Sequence, residues 1–172
     1  MSFGGQSQQR WGDNTINQNE MIRDLQLTDL SGRVCHTGPA RSKGLLLLAF
    51  FRADSAPSLA SLTALQALAD GYKESGKLTV FGVSESDEAA TRSAVAAAGA
   101  SFSVLLDRDG YHAMVYGLTS VPTVYLVGSD GTVLRKMIGF QPRVLTDISA
   151  RIAAVVGVEE PVDPLAVPVA AA

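Results

Sequence analysis

The chain has 172 residues, 47% of them hydrophobic and 18% charged, enough for one domain with a substantial core and short flanking segments. Its net charge of −3 and scattered Lys and Arg residues exclude a basic stripe of the kind that binds nucleic acid, so no nucleic-acid partner is expected. The single cysteine, Cys35, excludes a disulfide framework and a multi-thiolate zinc site, and no metal or cofactor is expected.

Residues 1–20 read as a disordered polar lead in which Trp11 and Ile16 are the only large anchors. The lead has no apolar stretch of secretory type, and no run reaches the ~20 apolar residues of a membrane span. A cytoplasmic protein without a membrane partner is therefore expected.

The domain is expected over 21–157. Leu25, Leu27 and Val34 flank the turn signal Asp29-Leu30-Ser31-Gly32, which predicts a β-hairpin. The unbroken apolar run Leu45–Phe51 predicts a strand buried on both faces. Leu59, Leu62, Leu65, Leu68, Ala69 and Tyr72 recur at three- and four-residue steps, a helix whose N-cap is Ser55 or Ser58.

Leu78–Val83 predicts a second buried strand. A helix then follows with Ser86 as cap, Asp87 and Glu88 in its first turn, and Gly99 at its end. Phe102–Leu106 is a short extended piece, and Tyr111–Tyr116 a short helix. Val121–Val127 and Thr132–Ile138 form a hairpin around Ser129-Asp130-Gly131. The last helix runs from Pro142 to Val156 with Val144, Leu145, Ile148, Ile152 and Val155 as its apolar stripe. Residues 158–172 read as a disordered tail broken by prolines. Buried strands separated by helices imply parallel pairing with helices on both faces, and the closing hairpin adds an antiparallel edge. The fold class is α/β, a central mixed sheet with helices on both faces and an N-terminal hairpin.

The span from Leu25 to Val156 resembles the thioredoxin superfamily, in particular its TlpA-like and peroxiredoxin-like (AhpC/TSA, redoxin) branch. The resemblance rests on Leu27-Thr28-Asp29-Leu30-Ser31-Gly32, on Leu47–Phe51, and on Gly110-Tyr111 through Tyr116-Gly117-Leu118-Thr119-Ser120-Val121-Pro122-Thr123. It implies a thioredoxin-like sandwich with a Cys-x-x-Cys pair just after the first core strand. At that place stand Ser55, Ala56, Pro57 and Ser58. The chemistry needs a thiolate nucleophile at a helix N-terminus and a second thiol to resolve the mixed disulfide. A serine hydroxyl forms no disulfide and no sulfenic acid. Asp54, where an aromatic residue is frequent in relatives, would further disfavour a thiolate.

The resemblance also implies a cis bond at Val121–Pro122 and a groove beside Pro122 where an extended peptide or protein partner could dock against the Val121 backbone. Serine-hydrolase chemistry lacks a base, since His36 and His112 have no acidic partner at motif spacing. Cys35 reads as an inert small hydrophobe, with His36 on the opposite face of the strand; a one-cysteine redox centre is the alternative. Arg135, Lys136 and Arg143 read as solvated surface, and Tyr111, Tyr116 and Tyr125 as core and rim. Two functional readings remain open. One is a redox-inactive binding or scaffold module. The other is a thiol–disulfide oxidoreductase or peroxidase of this family with its cysteines replaced by Ser55 and Ser58.

Overall fold

A computed structural model describes residues 15–166. The N-terminal hairpin pairs β1 (Gln26–Thr28) with β2 (Val34–His36) antiparallel. The buried Asp29 closes its turn: Oδ1 accepts from the Ser31 and Arg33 N–H groups, both at 2.9 Å, and from Ser31 Oγ at 2.6 Å. A short helix not anticipated from sequence follows, α1 (Thr37–Ser42), capped by His36 Nδ1, which accepts from Gly38 N–H. Its six residues include Gly38 and Pro39, too few and too irregular for a helical period to register.

The main sheet has the order β5-β4-β3-β6-β7. β3 (Leu45–Phe51) lies at its centre, parallel to β4 (Leu78–Ser84) and antiparallel to β6 (Thr123–Val127). β5 (Ser103–Leu106) adds in parallel beyond β4, and β7 (Val133–Ile138) closes the other side antiparallel to β6. All seven residues of β3 are buried. Because side chains alternate across a strand, Leu46, Leu48 and Phe50 enter one core with Tyr116, Tyr125 and Ile22. Leu45, Leu47 and Ala49 enter the other. That second core is covered by α2 (Ala56–Gly71) through Leu65 and Leu68 and by α5 (Pro142–Val156) through Leu145, Ile148 and Ile152. Each such side chain removed from water contributes about 1.5–3 kcal/mol, so β3 is the strand the fold is built on.

α3 (Glu88–Ala98) packs beside α2 through Ala98 and Val95 and ends where Gly99 takes φ 70°. Its N-cap is Asp87, whose carboxylate accepts from Ala90 N–H at 2.8 Å, and not Ser86 as the sequence suggested. The Ser86 hydroxyl already accepts from Ala53 N–H, distant in sequence. α4 (Tyr111–Val115) lies on the opposite face, its start held by the buried Asp107, which accepts from the His112 and Ala113 N–H groups.

Both flanks make contacts that the sequence reading had not assigned them. Ile16 is buried in the core beside Tyr116, and Asn19 and Glu20 bond the backbone of Val133. The segment 158–166 packs back onto α2: Val162 N–H donates to Tyr72 Oη, and Pro164 is buried. Two or three apolar residues suffice here because they enter pockets that the domain has already formed, so little of the segment has to be ordered for each contact. Trp11 and the ends of both flanks lie outside the described residues.

Candidate functional site

The motif loop leaves β3 at Arg52 and enters α2 at Ser55. Ser55 has extended backbone angles (φ −111°, ψ 115°) and caps the helix, its Oγ accepting from Ser58 N–H at 3.2 Å. Pro57 sits in the first turn, where its missing N–H is no loss. Ser58 is fully buried, and its Oγ accepts from Arg52 N–H at 3.3 Å. Each hydroxyl oxygen thus satisfies a backbone donor at the junction of strand and helix.

A second set of hydroxyls, missed in the sequence, holds the loop from the other side. Ala53 N–H donates to Ser86 Oγ at 2.9 Å, and Ser86 N–H donates to Ser84 Oγ at 3.1 Å. Ser84 Oγ in turn is hydrogen-bonded to Thr91 Oγ1 at 2.7 Å in a buried pair. The one available signal was three polar residues, Ser84-Glu85-Ser86, at the end of a buried strand. Asp54 is exposed and chelated by Arg52, at 3.0 Å from Nε and 3.2 Å from Nη2. The hydrogen bond from Arg52 holds the Asp54 carboxyl below the usual carboxylate range.

The register places the second half of the expected site. The β3–β6 ladder ends with Phe50 paired to Thr123, so the motif loop and the Val121–Pro122 segment leave the sheet at the same end. The Val121–Pro122 bond is cis. Pro122 is buried and its carbonyl accepts from Gly139 N–H at 2.7 Å, while Val121 is half-exposed. Neither the N–H nor the C=O of Val121 bonds a described residue. The groups left open at this place are thus those of the Val121 backbone, the ones the resemblance singled out. An open cleft of about 670 Å³ lies on the other side of the motif loop, between α2 and α3. Leu59 and Ala94 line it with Arg52, Asp54, Glu85 and Asp87.

The other candidate residues fall elsewhere. Cys35 is buried in the hairpin with its thiol 3.6 Å from Asp29 Oδ2. Burial first, and the Asp29 carboxylate second, push that thiol above its ordinary pKa, which opposes a nucleophilic role. His36 is exposed on the opposite face, as the alternation requires. Tyr116 and Tyr125 are core residues, whereas Tyr111 is 53% exposed. Arg135 and Lys136 are not the free surface cations expected. Arg135 pairs with Asp147 at 2.9 Å, and Lys136 donates to Ile16 C=O at 2.8 Å while lying over the Tyr125 ring. Among the described residues no group of three His, Cys, Asp or Glu could hold a metal, and no helix is long and apolar enough to cross a membrane. Neither histidine bonds Ser55 or Ser58, so neither imidazole is placed as a base for these hydroxyls.

Solved structures with this fold include one assigned as thiol:disulfide interchange protein DsbE in Chlorobium tepidum, at 23% identity and TM-score 0.74, covering 83% of this chain and all of that one. The thioredoxin domain of a thiol-disulfide oxidoreductase from Bacteroides vulgatus is 17% identical with TM-score 0.69, covering 80% of this chain and 99% of that one. Peroxidoxin BcpB from Mycobacterium tuberculosis is 15% identical with TM-score 0.66, covering 84% and 99%. No curated protein matches the sequence. The likeness to these structures carries the fold, and the sequence profile of the AhpC/TSA family matches residues 19–136. The chain belongs to the AhpC/TSA family, the redoxin branch of the thioredoxin superfamily.

Proposed function

We propose that this chain is a redoxin that performs no thiol–disulfide exchange at its motif and instead binds an extended peptide or protein segment beside the motif. The observation that carries the reading is the pair of hydroxyls at 55 and 58, both engaged as acceptors of backbone N–H groups where relatives need sulfur. The free backbone of Val121, at the end of the sheet where the motif loop leaves β3, supplies one donor and one acceptor to an incoming strand, in the manner of a sheet edge. The cytoplasmic setting expected from the sequence is part of the proposal, and cell fractionation checks it.

The test is catalytic. The purified chain is assayed for insulin reduction and for peroxide consumption with a dithiol reductant. Rates at the buffer level are expected, and turnover above that level overturns the reading.

The second reading is a thiol–disulfide oxidoreductase or peroxidase whose cysteines were replaced by Ser55 and Ser58, favoured by family membership. Ser55→Cys/Ser58→Cys discriminates between the two. A reversible disulfide with a potential in the range of dithiol oxidoreductases, together with insulin reduction, supports the second reading. A pair that fails to oxidise, or oxidises without turnover, supports the first.

A further inference from the structure

β7 is the outer strand of the sheet, and the parity of its hydrogen bonds decides which of its backbone groups are free. Gly139 N–H donates to Pro122 C=O, so these two residues form a bonded pair. Bonded and non-bonded pairs alternate along an antiparallel ladder. The next bonded pairs are therefore Val124 with Met137 and Leu126 with Arg135. Ile138 and Lys136, opposite Thr123 and Tyr125, turn their N–H and C=O groups away from the sheet.

The far end of this edge is closed. Val133 N–H donates to Glu20 C=O and Asn19 N–H to Val133 C=O, each at 2.8 Å. A register shift at Leu126/Val127 distorts that end, and Arg151 reaches the Leu134 carbonyl at 3.3 Å. Bulges and covering segments of this kind are how native sheets blunt an edge. At the near end the lead reaches only side chains, Lys136 Nζ donating to Ile16 C=O and Asn17 Oδ1; no described residue bonds the backbone of Lys136 or Ile138, and the Ile138 side chain is 48% exposed.

The start of α5, tied to β7 where Gln141 N–H donates to Met137 Sδ at 3.4 Å, adds positive charge near the open end. α5 begins four residues beyond Ile138 with Gln141 as a cap that makes no side-chain bond and with no acidic residue in its first turn. Arg143, exposed in that turn, has no ion-pair partner among the described residues. A cation there opposes the helix dipole and is unfavourable unless something negative approaches. We propose that the β7 edge at Lys136–Ile138 accepts an extended acidic segment of a partner protein as a sixth strand of the sheet, with an apolar side chain set beside Ile138. A second copy of this chain, carrying the same basic edge, is the poorer match.

The test uses the full chain labelled with nitrogen-15 and two synthetic hexapeptides, acetyl-Glu-Val-Glu-Val-Glu-Val-amide and its lysine counterpart. The acidic peptide is expected to shift the Lys136 and Ile138 amides saturably and to slow their hydrogen exchange. It should bind about tenfold more tightly than the lysine peptide, and less tightly as salt rises. Ile138→Pro removes one outward donor at a place where an edge strand tolerates proline, and it should abolish these shifts with the circular dichroism spectrum unchanged. Arg143→Glu, which leaves the ladder intact, should weaken the acidic peptide about tenfold and decides the matter if the proline variant does not fold. Equal binding of the two peptides overturns the proposal, as does self-association that protects the edge amides without peptide. Shifts confined to Val121 overturn it too, while leaving the proposed function standing.

Discussion

If the serines at 55 and 58 are structural acceptors, removing them must cost stability in a calculable way. Ser55→Ala deletes an N-cap, a loss of about 1 kcal/mol with a range of roughly 0.5–2. Ser58→Ala leaves the Arg52 N–H without its acceptor in a part-buried position, which costs about 1–2 kcal/mol. Ser58 N–H is itself the donor to Ser55 Oγ, so the two losses couple, and their sum of roughly 2–3 kcal/mol marks the scale and not the exact cost of the double variant. For a chain of this size that lowers Tm by roughly 5–10 °C. Urea unfolding of the three variants is the assay, read as a shift in midpoint at constant slope. Ser55→Thr, which keeps a capping oxygen, should recover most of the loss at that position. The argument fails if either alanine variant unfolds within about 0.3 kcal/mol of the parent, or if Ser55→Thr is no more stable than Ser55→Ala.

Three further outcomes follow from the same structure. Asp24, held down by the hydrogen bond from Arg41, and Asp147, held down by Arg151 and Arg135, have folded pKa values below the ordinary 3.8. Burial would raise Asp29, but its bonds from Ser31 and Arg33 outweigh that, and it too lies below. Carboxyls depressed on folding contribute stability that is complete above the ordinary value and lost as the pH falls below about 4. Asp24→Asn should flatten the acid limb of urea midpoints measured from pH 6 to pH 2.5, and an unchanged limb contradicts the assignment. Cys35, its thiol pushed up by burial, should react with a neutral-pH thiol reagent far more slowly in the native chain than in urea; equal rates would reopen the one-cysteine redox reading. Gly71→Ala should destabilise despite alanine's helix preference of about 1 kcal/mol, because the new Cβ meets Val162 Cγ2 at 2.4 Å. Loss of nuclear Overhauser contacts between Val162 and Tyr72 would report the displaced segment, and a stabilised variant would refute the close approach.

The sheet and its order of elements were legible in the sequence because its strongest signals were long. Seven consecutive apolar residues at Leu45–Phe51 and the three- and four-residue steps from Leu59 to Tyr72 leave little choice of element. The cap of α3 was misread because Ser86 and Asp87 are both good caps. What separates them is a bond to Ala53, thirty-three residues away, which no local pattern encodes. Lys136 was assigned to solvent because a lysine in an amphipathic strand usually belongs there. Its neighbours Ile16 and Tyr125 come from distant parts of the chain. The serines could be placed by counting from Phe51, but the use of their oxygens depends on where Arg52 N–H points, a fact of the folded backbone alone.

The burial of β3 along its full length has a design consequence. The strand draws its stability from two cores behind it, and the residues where relatives do chemistry begin only after it ends. Scaffold and reactivity are therefore separable modules. Replacing residues at the tip leaves the foundation standing, so a chain of this architecture stays folded whatever its tip carries. The same separation makes the tip open to redesign, provided a new side chain at 58 still offers the Arg52 amide an acceptor.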